Sequence, residues 1–163
     1  MANVLVFTEL HDGHVKPVTL EILGKLAGQA ADVAVIGDIS ADQVAALAKC
    51  GAQNVHKLKG ANLDKYSPEG YANALKGFIS SGSFDYVFAG ATSVGKDLLP
   101  RVATMFDAGM ASEVTNFIME GDKFAGTRPL FAGKCFAKVQ SRSQEQKLNR
   151  RKGRQGVKAR KEV

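Results

Sequence analysis

The sequence predicts an α/β fold: a doubly wound, mainly parallel sheet followed by an antiparallel, β-rich C-terminal extension. Three observations carry this expectation. Short apolar runs alternate with segments of helical period over roughly the first 110 residues, joined by short links. At Ser83–Asp107 a run of aromatic and β-branched residues, Asp85–Gly90, passes through a Gly-rich turn into a helix. After Gly109 the helical spacing stops, and strand-like runs follow one another.

Asn3–Thr8 (NVLVFT) is almost wholly apolar, as a central strand buried on both faces would be. Glu9–His14 turns on Asp12-Gly13. Pro17 suits the first turn of a helix, whose buried face is expected at Leu20, Leu23, Leu26, Ala27 and Ala30. Asp32–Asp38 (DVAVIGD) is a second strand. Ser40 caps the next helix, Val44, Leu47 and Ala48 form its apolar face, and Gly51 ends it. Asn54–Leu58 is a third strand. This βαβαβ order with short links requires parallel strands and right-handed crossovers, a Rossmann-like arrangement.

Lys59–Tyr66 is a polar loop. Ser67 and Pro68 open a further helix with Tyr71, Leu75, Phe78 and Ile79 on one side, and Ser80–Ser83 breaks it. The strand at Asp85–Gly90 reads as buried. The helix that follows places Leu98, Leu99, Val102 and Phe106 at helical spacing, and Gly109 closes it. A start at Ser93 puts Pro100 inside this helix; a start with Asp97 as N-cap puts it in the tolerated first turn. Ala111–Met119, Phe124–Arg128 and Phe131–Val139 are expected to add antiparallel strands at the sheet edge.

The net charge of +6 has one source. Between Ser141 and Val163 stand nine Lys/Arg against two Glu, so the first 140 residues sum to −1. This tail lacks apolar periodicity and cannot bury enough surface to fold. The expected organisation is an α/β domain over 1–140 and a basic, disordered tail over 141–163. With 45% apolar and 23% charged residues the chain is an ordinary globular mixture, and no run of eighteen apolar residues offers a membrane span. The N-terminus enters a strand at once, and Cys50 and Cys135 are isolated, so a cytoplasmic protein with reduced thiols is expected.

The stretch with most chemical promise is Gly90-Ala-Thr-Ser-Val-Gly95-Lys96. It meets a phosphate-loop pattern at Gly90, Gly95 and Lys96, in the right strand-to-helix context, with Thr92 and Ser93 as further loop candidates. It fails at Asp97, where a hydroxyl should hold Mg²⁺ and a carboxylate would repel phosphate. A tight βα turn with a capped helix is therefore the favoured reading. His11 and His14 have no third ligand in view, so no metal site is expected. Three histidines, none beside a Ser or Cys, give no catalytic triad, and no catalytic residue is assigned. Arg128 beside Pro129 is a candidate anion ligand, though its loop-like surroundings favour a surface or interface arginine.

The segment AGATSVGKDLLPRVA resembles the signature of the N-terminal domain of electron transfer flavoprotein alpha subunits. Met1–Thr8 with His11-Asp12-Gly13 resembles that family's opening strand and turn. Val18–Ala30 resembles its first helix, and Thr127-Arg128-Pro129-Leu130-Phe131-Ala132-Gly133 its late strand. The resemblance covers roughly residues 1–140 and stops near Val139; a frameshift or truncated gene would produce such a break. It implies an alpha–beta heterodimer that takes electrons from acyl-CoA dehydrogenases of fatty acid β-oxidation, and from others, through one FAD to a downstream oxidoreductase. It implies, too, that this chain is a scaffold and partner-binding domain for a beta subunit, an electron-carrier component and not an enzyme. The FAD would lie mainly in a C-terminal domain that the 163 residues lack. Two rivals are an adenine-nucleotide or phosphate-binding enzyme using Gly90–Lys96, and a nucleic-acid binder acting through the tail. The tail has no aromatic residue for base stacking, which makes nucleic acid the weaker of these.

Overall fold

The computed structural model describes residues 1–60 and 63–141. The chain divides into two compact units, Met1–Val102 and Ala103–Val163. The basic tail expected from Ser141 onward lies, apart from Ser141, outside the described residues.

The first unit is built on four parallel strands: β1 (Asn3–Thr8), β4 (Ala30–Ile36), β5 (Ala52–Leu58) and β6 (Tyr86–Ala89), in the order β5-β4-β1-β6. The apolar run of β1 does what its composition demands. It lies between β4 and β6, pairing Phe7 with both Ala34 and Ala89, and Val4–Thr8 are all buried. β6 is only half-buried along its length, because it stands at the end of this order. Its aromatic and β-branched composition alone reads as a buried strand; pairing on one side explains the difference.

Alternate β1 side chains enter opposite faces. Leu5 and Phe7 join Ala34 and Ile36 of β4 in a core with Ala72 and Leu75 of α3 (Pro68–Ser81) and Leu98 and Val102 of α4 (Ser93–Met105). Full burial of a side chain such as Leu5 or Phe7 contributes about 1.5–3 kcal/mol. Thr8 points the other way, and its hydroxyl meets Thr19 of α1 (Pro17–Lys25) at 2.8 Å. Helices therefore cover both faces, as a doubly wound sheet requires. α2 (Ala41–Lys49) is capped by Ser40, whose hydroxyl accepts the Gln43 N–H at 3.4 Å, and it buries Leu47 completely.

Several boundaries differ from expectation. α1 ends at Lys25, so Ala27 is exposed and Ala30 begins β4; Gly28, at φ +90°, supplies the reversal that helical spacing alone misses. The buried residues of α1 are Thr19, Ile22 and Leu23. Between β1 and α1 the chain forms a miniature hairpin, β2 (Leu10–His11) with β3 (His14–Val15), turning on Asp12 and Gly13 at φ +50° and +78°.

The second unit holds an antiparallel sheet of its own, in the order β7 (Asn116–Glu120), β8 (Lys123–Leu130), β9 (Cys135–Gln140). The antiparallel β-rich extension is thus present, but its strands pair with one another and not with the edge of the parallel sheet. Residues 111–115 precede the first of these strands instead of forming part of it.

Candidate functional site

The strand order β5-β4-β1-β6 reverses direction at β1. The chain winds outward from β1 to β4 and β5, then returns to place β6 on the other side. In such folds ligands bind at this switch point, beyond the carboxyl ends of the strands. Here that edge is formed by Thr8-Glu9 after β1 and Gly90-Ala91-Thr92 after β6.

Thr92 caps α4. Its hydroxyl accepts the Gly95 N–H at 3.1 Å, and its carbonyl accepts the Lys96 N–H at 2.8 Å. The helix thus starts at Ser93 and not at Asp97, and Pro100 lies inside it. Pro100 cannot donate to the Lys96 carbonyl, a defect the packed inner face of α4 tolerates through buried Leu98 and Val102.

Glu9 occupies the mouth of this turn. The Thr92 hydroxyl donates to Glu9 Oε1, while Lys16 Nζ donates to Glu9 Oε2 at 2.7 Å. The Glu9 side chain is only 12% exposed. The Lys16 N–H also reaches the Glu9 carbonyl, at 3.3 Å. A carboxylate from the chain itself therefore meets the capping hydroxyl of α4, where a helix N-terminus favours an anion. Phosphate brought to the same place would meet Glu9 and the nearby Asp97, both negative.

The glycines of the loop are accounted for by packing. A Cβ on Gly95 would lie 2.0 Å from the Gly90 carbonyl oxygen, and one on Gly90 would lie 2.5 Å from Val18 Cγ1 of α1. Both glycines are buried, whereas Ser93 and Lys96 are exposed. The structure brings Gly90, Thr92 and Gly95 together in one turn, with Ser93 and Lys96 on its outer side.

A second polar cluster stands on α4. Asp97 accepts the Tyr66 hydroxyl at 2.6 Å, and the Arg101 guanidinium at 3.0 and 3.1 Å. The Tyr66 hydrogen bond, and then Arg101, hold the Asp97 carboxyl below its usual range. Partial burial first, and then the Asp97 carboxylate, push the Tyr66 phenol up to about 12. The raised value stabilises the neutral phenol in the fold. That contribution is complete below the unfolded value of about 10 and is lost as pH rises through about 12. Asp97→Asn is expected to bring the Tyr66 titration down toward the ordinary tyrosine range, read by ultraviolet difference absorption against Tyr66→Phe.

Sequence reading misses Glu9, Lys16 and Tyr66. Glu9 and Lys16 are seven residues apart around a hairpin, a spacing with no helical or strand signature. The Asp97–Arg101 pair, at i,i+4 on a helix, does carry such a signal. His11 and His14 face each other across the miniature hairpin; His11 lies beside Asp12, His14 beside Gln43. No group of three metal-ligating side chains occurs among the described residues. No helix among them is long and apolar enough to cross a membrane.

The first unit is thus a doubly wound α/β domain whose nucleotide-type edge carries its own carboxylate. The sequence model of the electron transfer flavoprotein domain matches residues 4–148. The chain belongs to that family, and the match runs past Val139, where the motif resemblance stops. It is similar to the electron transfer flavoprotein subunit alpha of Bacillus subtilis, 31% identical over 141 residues, covering 84% of this chain and 43% of that protein. Protein FixB of Rhizobium meliloti is 30% identical, with 84% of this chain and 42% of that protein covered. The lactate dehydrogenase (NAD(+),ferredoxin) subunit LctC of Acetobacterium woodii is 29% identical, with 84% and 34% covered. The chain therefore spans less than half the length of these relatives.

Proposed function

We propose that this chain serves as the scaffold and partner-binding part of an electron carrier of the electron transfer flavoprotein alpha type. The observation that carries the reading is the family match over residues 4–148, which spans both antiparallel and parallel sheets. On this reading the chain pairs with a beta subunit, and the complex moves electrons from dehydrogenases, acyl-CoA dehydrogenases among them, through one FAD. The chain itself is a component of the carrier and performs no bond chemistry.

The loop over Gly90–Lys96 belongs to this reading as a packing element. FAD would bring a pyrophosphate to the turn, and the residues there do not fit it: Glu9 already meets Thr92, and both loop glycines are in close contact with protein atoms. The flavin is therefore assigned to another part of the carrier. The comparisons give no support to a nucleotide-using enzyme or to a nucleic-acid binder. Cys50 and Cys135 are unpaired, Cys135 being exposed, which suits a reducing compartment and a cytoplasmic location.

Complex formation tests the reading. Mixed with an electron transfer flavoprotein beta subunit from the same genome, the chain is expected to elute as a stoichiometric complex in size-exclusion chromatography. Separate elution at micromolar concentrations of both would remove the partner-binding role.

A further inference from the structure

Arg128 lies on β8 where that strand loses one neighbour. β7 pairs with β8 only as far as Asn116 opposite Thr127, whereas β9 continues to Cys135 opposite Leu130. Among the described residues no strand pairs with β8 on the β7 side beyond Thr127. Backbone groups alternate sides along a strand, so Pro129 is the next residue facing that side, and it has no N–H to leave unpaired. A shallow depression of about 490 Å³ lies here, lined by Glu113, Arg128 and residues 129–133.

The Nε of Arg128, a residue that lines this depression, is an unsatisfied polar atom. Arg128 is half-buried, and its Nε is shielded from solvent without a hydrogen-bond partner. Among the described residues Arg128 forms no ion pair. An arginine carries its charge at any physiological pH and can only donate, so a shielded Nε–H calls for an acceptor. Beside it the β8–β9 turn holds Phe131 and Ala132 at φ +50° and +55°, left-handed values that non-glycine residues seldom adopt. This turn keeps Phe131 76% exposed next to the arginine. Arginine with an exposed aromatic is the composition of a contact that gains energy when covered.

We propose that Arg128 is the receiving group of an oxyanion site, taking a carboxylate or phosphate oxygen from a ligand outside this chain. The planar fork of the guanidinium suits two parallel oxygens, and Nε–H is one tine of that fork. The oxygens have two possible sources. One is a free oxyanion; the other is a carboxylate side chain of the beta subunit, which rests on the carrier reading above.

The test follows the Nε–H resonance of Arg128 in the full ¹⁵N-labelled chain, assigned by its loss in Arg128→Lys. Arg101 is an internal control, because its Nε already donates to Asp97 at 3.1 Å. Inorganic phosphate and acetate are titrated first. A saturable shift at Arg128 but not at Arg101 supports the site and identifies a free oxyanion as its ligand. If small anions leave it unmoved, the beta subunit is added. A shift on complex formation, with affinity at least tenfold weaker for Arg128→Gln, supports the site with a carboxylate source. Should Arg128→Gln fail to fold, Arg128→Lys, which keeps the charge and loses the fork, replaces it. A resonance unmoved by phosphate, acetate and beta subunit overturns the proposal. A chain that ignores the beta subunit yet saturates with phosphate keeps the site and removes only the carrier reading.

Discussion

Gly95→Ala is expected to lower stability by about 3 kcal/mol, and the Tm by roughly 10 °C. The new Cβ would stand 2.0 Å from the Gly90 carbonyl oxygen, a backbone atom at the end of β6. Neither side can yield locally. The oxygen is fixed by the strand, and the Cβ by a helix whose Thr92 cap and buried Leu98 tie it to the sheet. Gly90→Ala is a milder case, since the nearest atom is Val18 Cγ1, a side-chain methyl at 2.5 Å. Gly77→Ala provides the opposite sign. It lies within α3 with nothing within 4 Å of its added Cβ, so alanine should stabilise by about 0.5–1 kcal/mol. Thermal unfolding of the three variants by circular dichroism distinguishes the cases. A Gly95→Ala variant as stable as the parent would mean that packing does not explain this glycine, and a close ligand approach would become the better reason for it.

Glu9→Ala carries the second large effect, a loss of about 2–3 kcal/mol. It removes the acceptor of both Thr92 and Lys16, and leaves a partly shielded ammonium beside a helix cap whose hydroxyl has lost its partner. Lys16 is about one-third exposed, so water recovers part of its solvation and holds the cost below that of a fully buried pair. The void created has the chemistry of an anion site. Inorganic phosphate or acetate in the millimolar range should therefore raise the Tm of Glu9→Ala and leave the parent unchanged, as linkage to a ligand of the folded state requires. Equal responses of the two proteins would show that Glu9 does not hold the place of an anion.

The range of each interaction decides how much of it the sequence carries. β1 could be placed at the centre of the sheet because a nearly unbroken apolar run has no face to show to water. Ser40 and Ser67 announced their helices, since a cap acts within three residues. The limits of α1 were hidden because Ala27 and Ala30 fit a helical face as well as a link or a strand; the left-handed Gly28 decides the matter. The loop glycines showed that something approaches closely, but not whether it is protein or phosphate. That distinction rests on Glu9 reaching Thr92 across 83 residues of sequence, and on Val18 packing against Gly90. Neither contact leaves a periodic trace. Arg128 stands out in sequence as a candidate beside Pro129, yet the shielding of its Nε is a product of tertiary packing, which composition does not encode.

On the proposed function, Glu9 closes the carboxyl edge between β1 and β6, and the flavin belongs to another part of the carrier. The most direct test is an equilibrium titration of the purified chain with FAD and with ADP. Visible absorption and calorimetry are recorded before and after the beta subunit is added. No saturable binding of either nucleotide by the chain alone is expected, alongside a stable complex with the beta subunit. A bound-flavin spectrum from the chain by itself, or ADP binding abolished by Lys96→Ala, would contradict it.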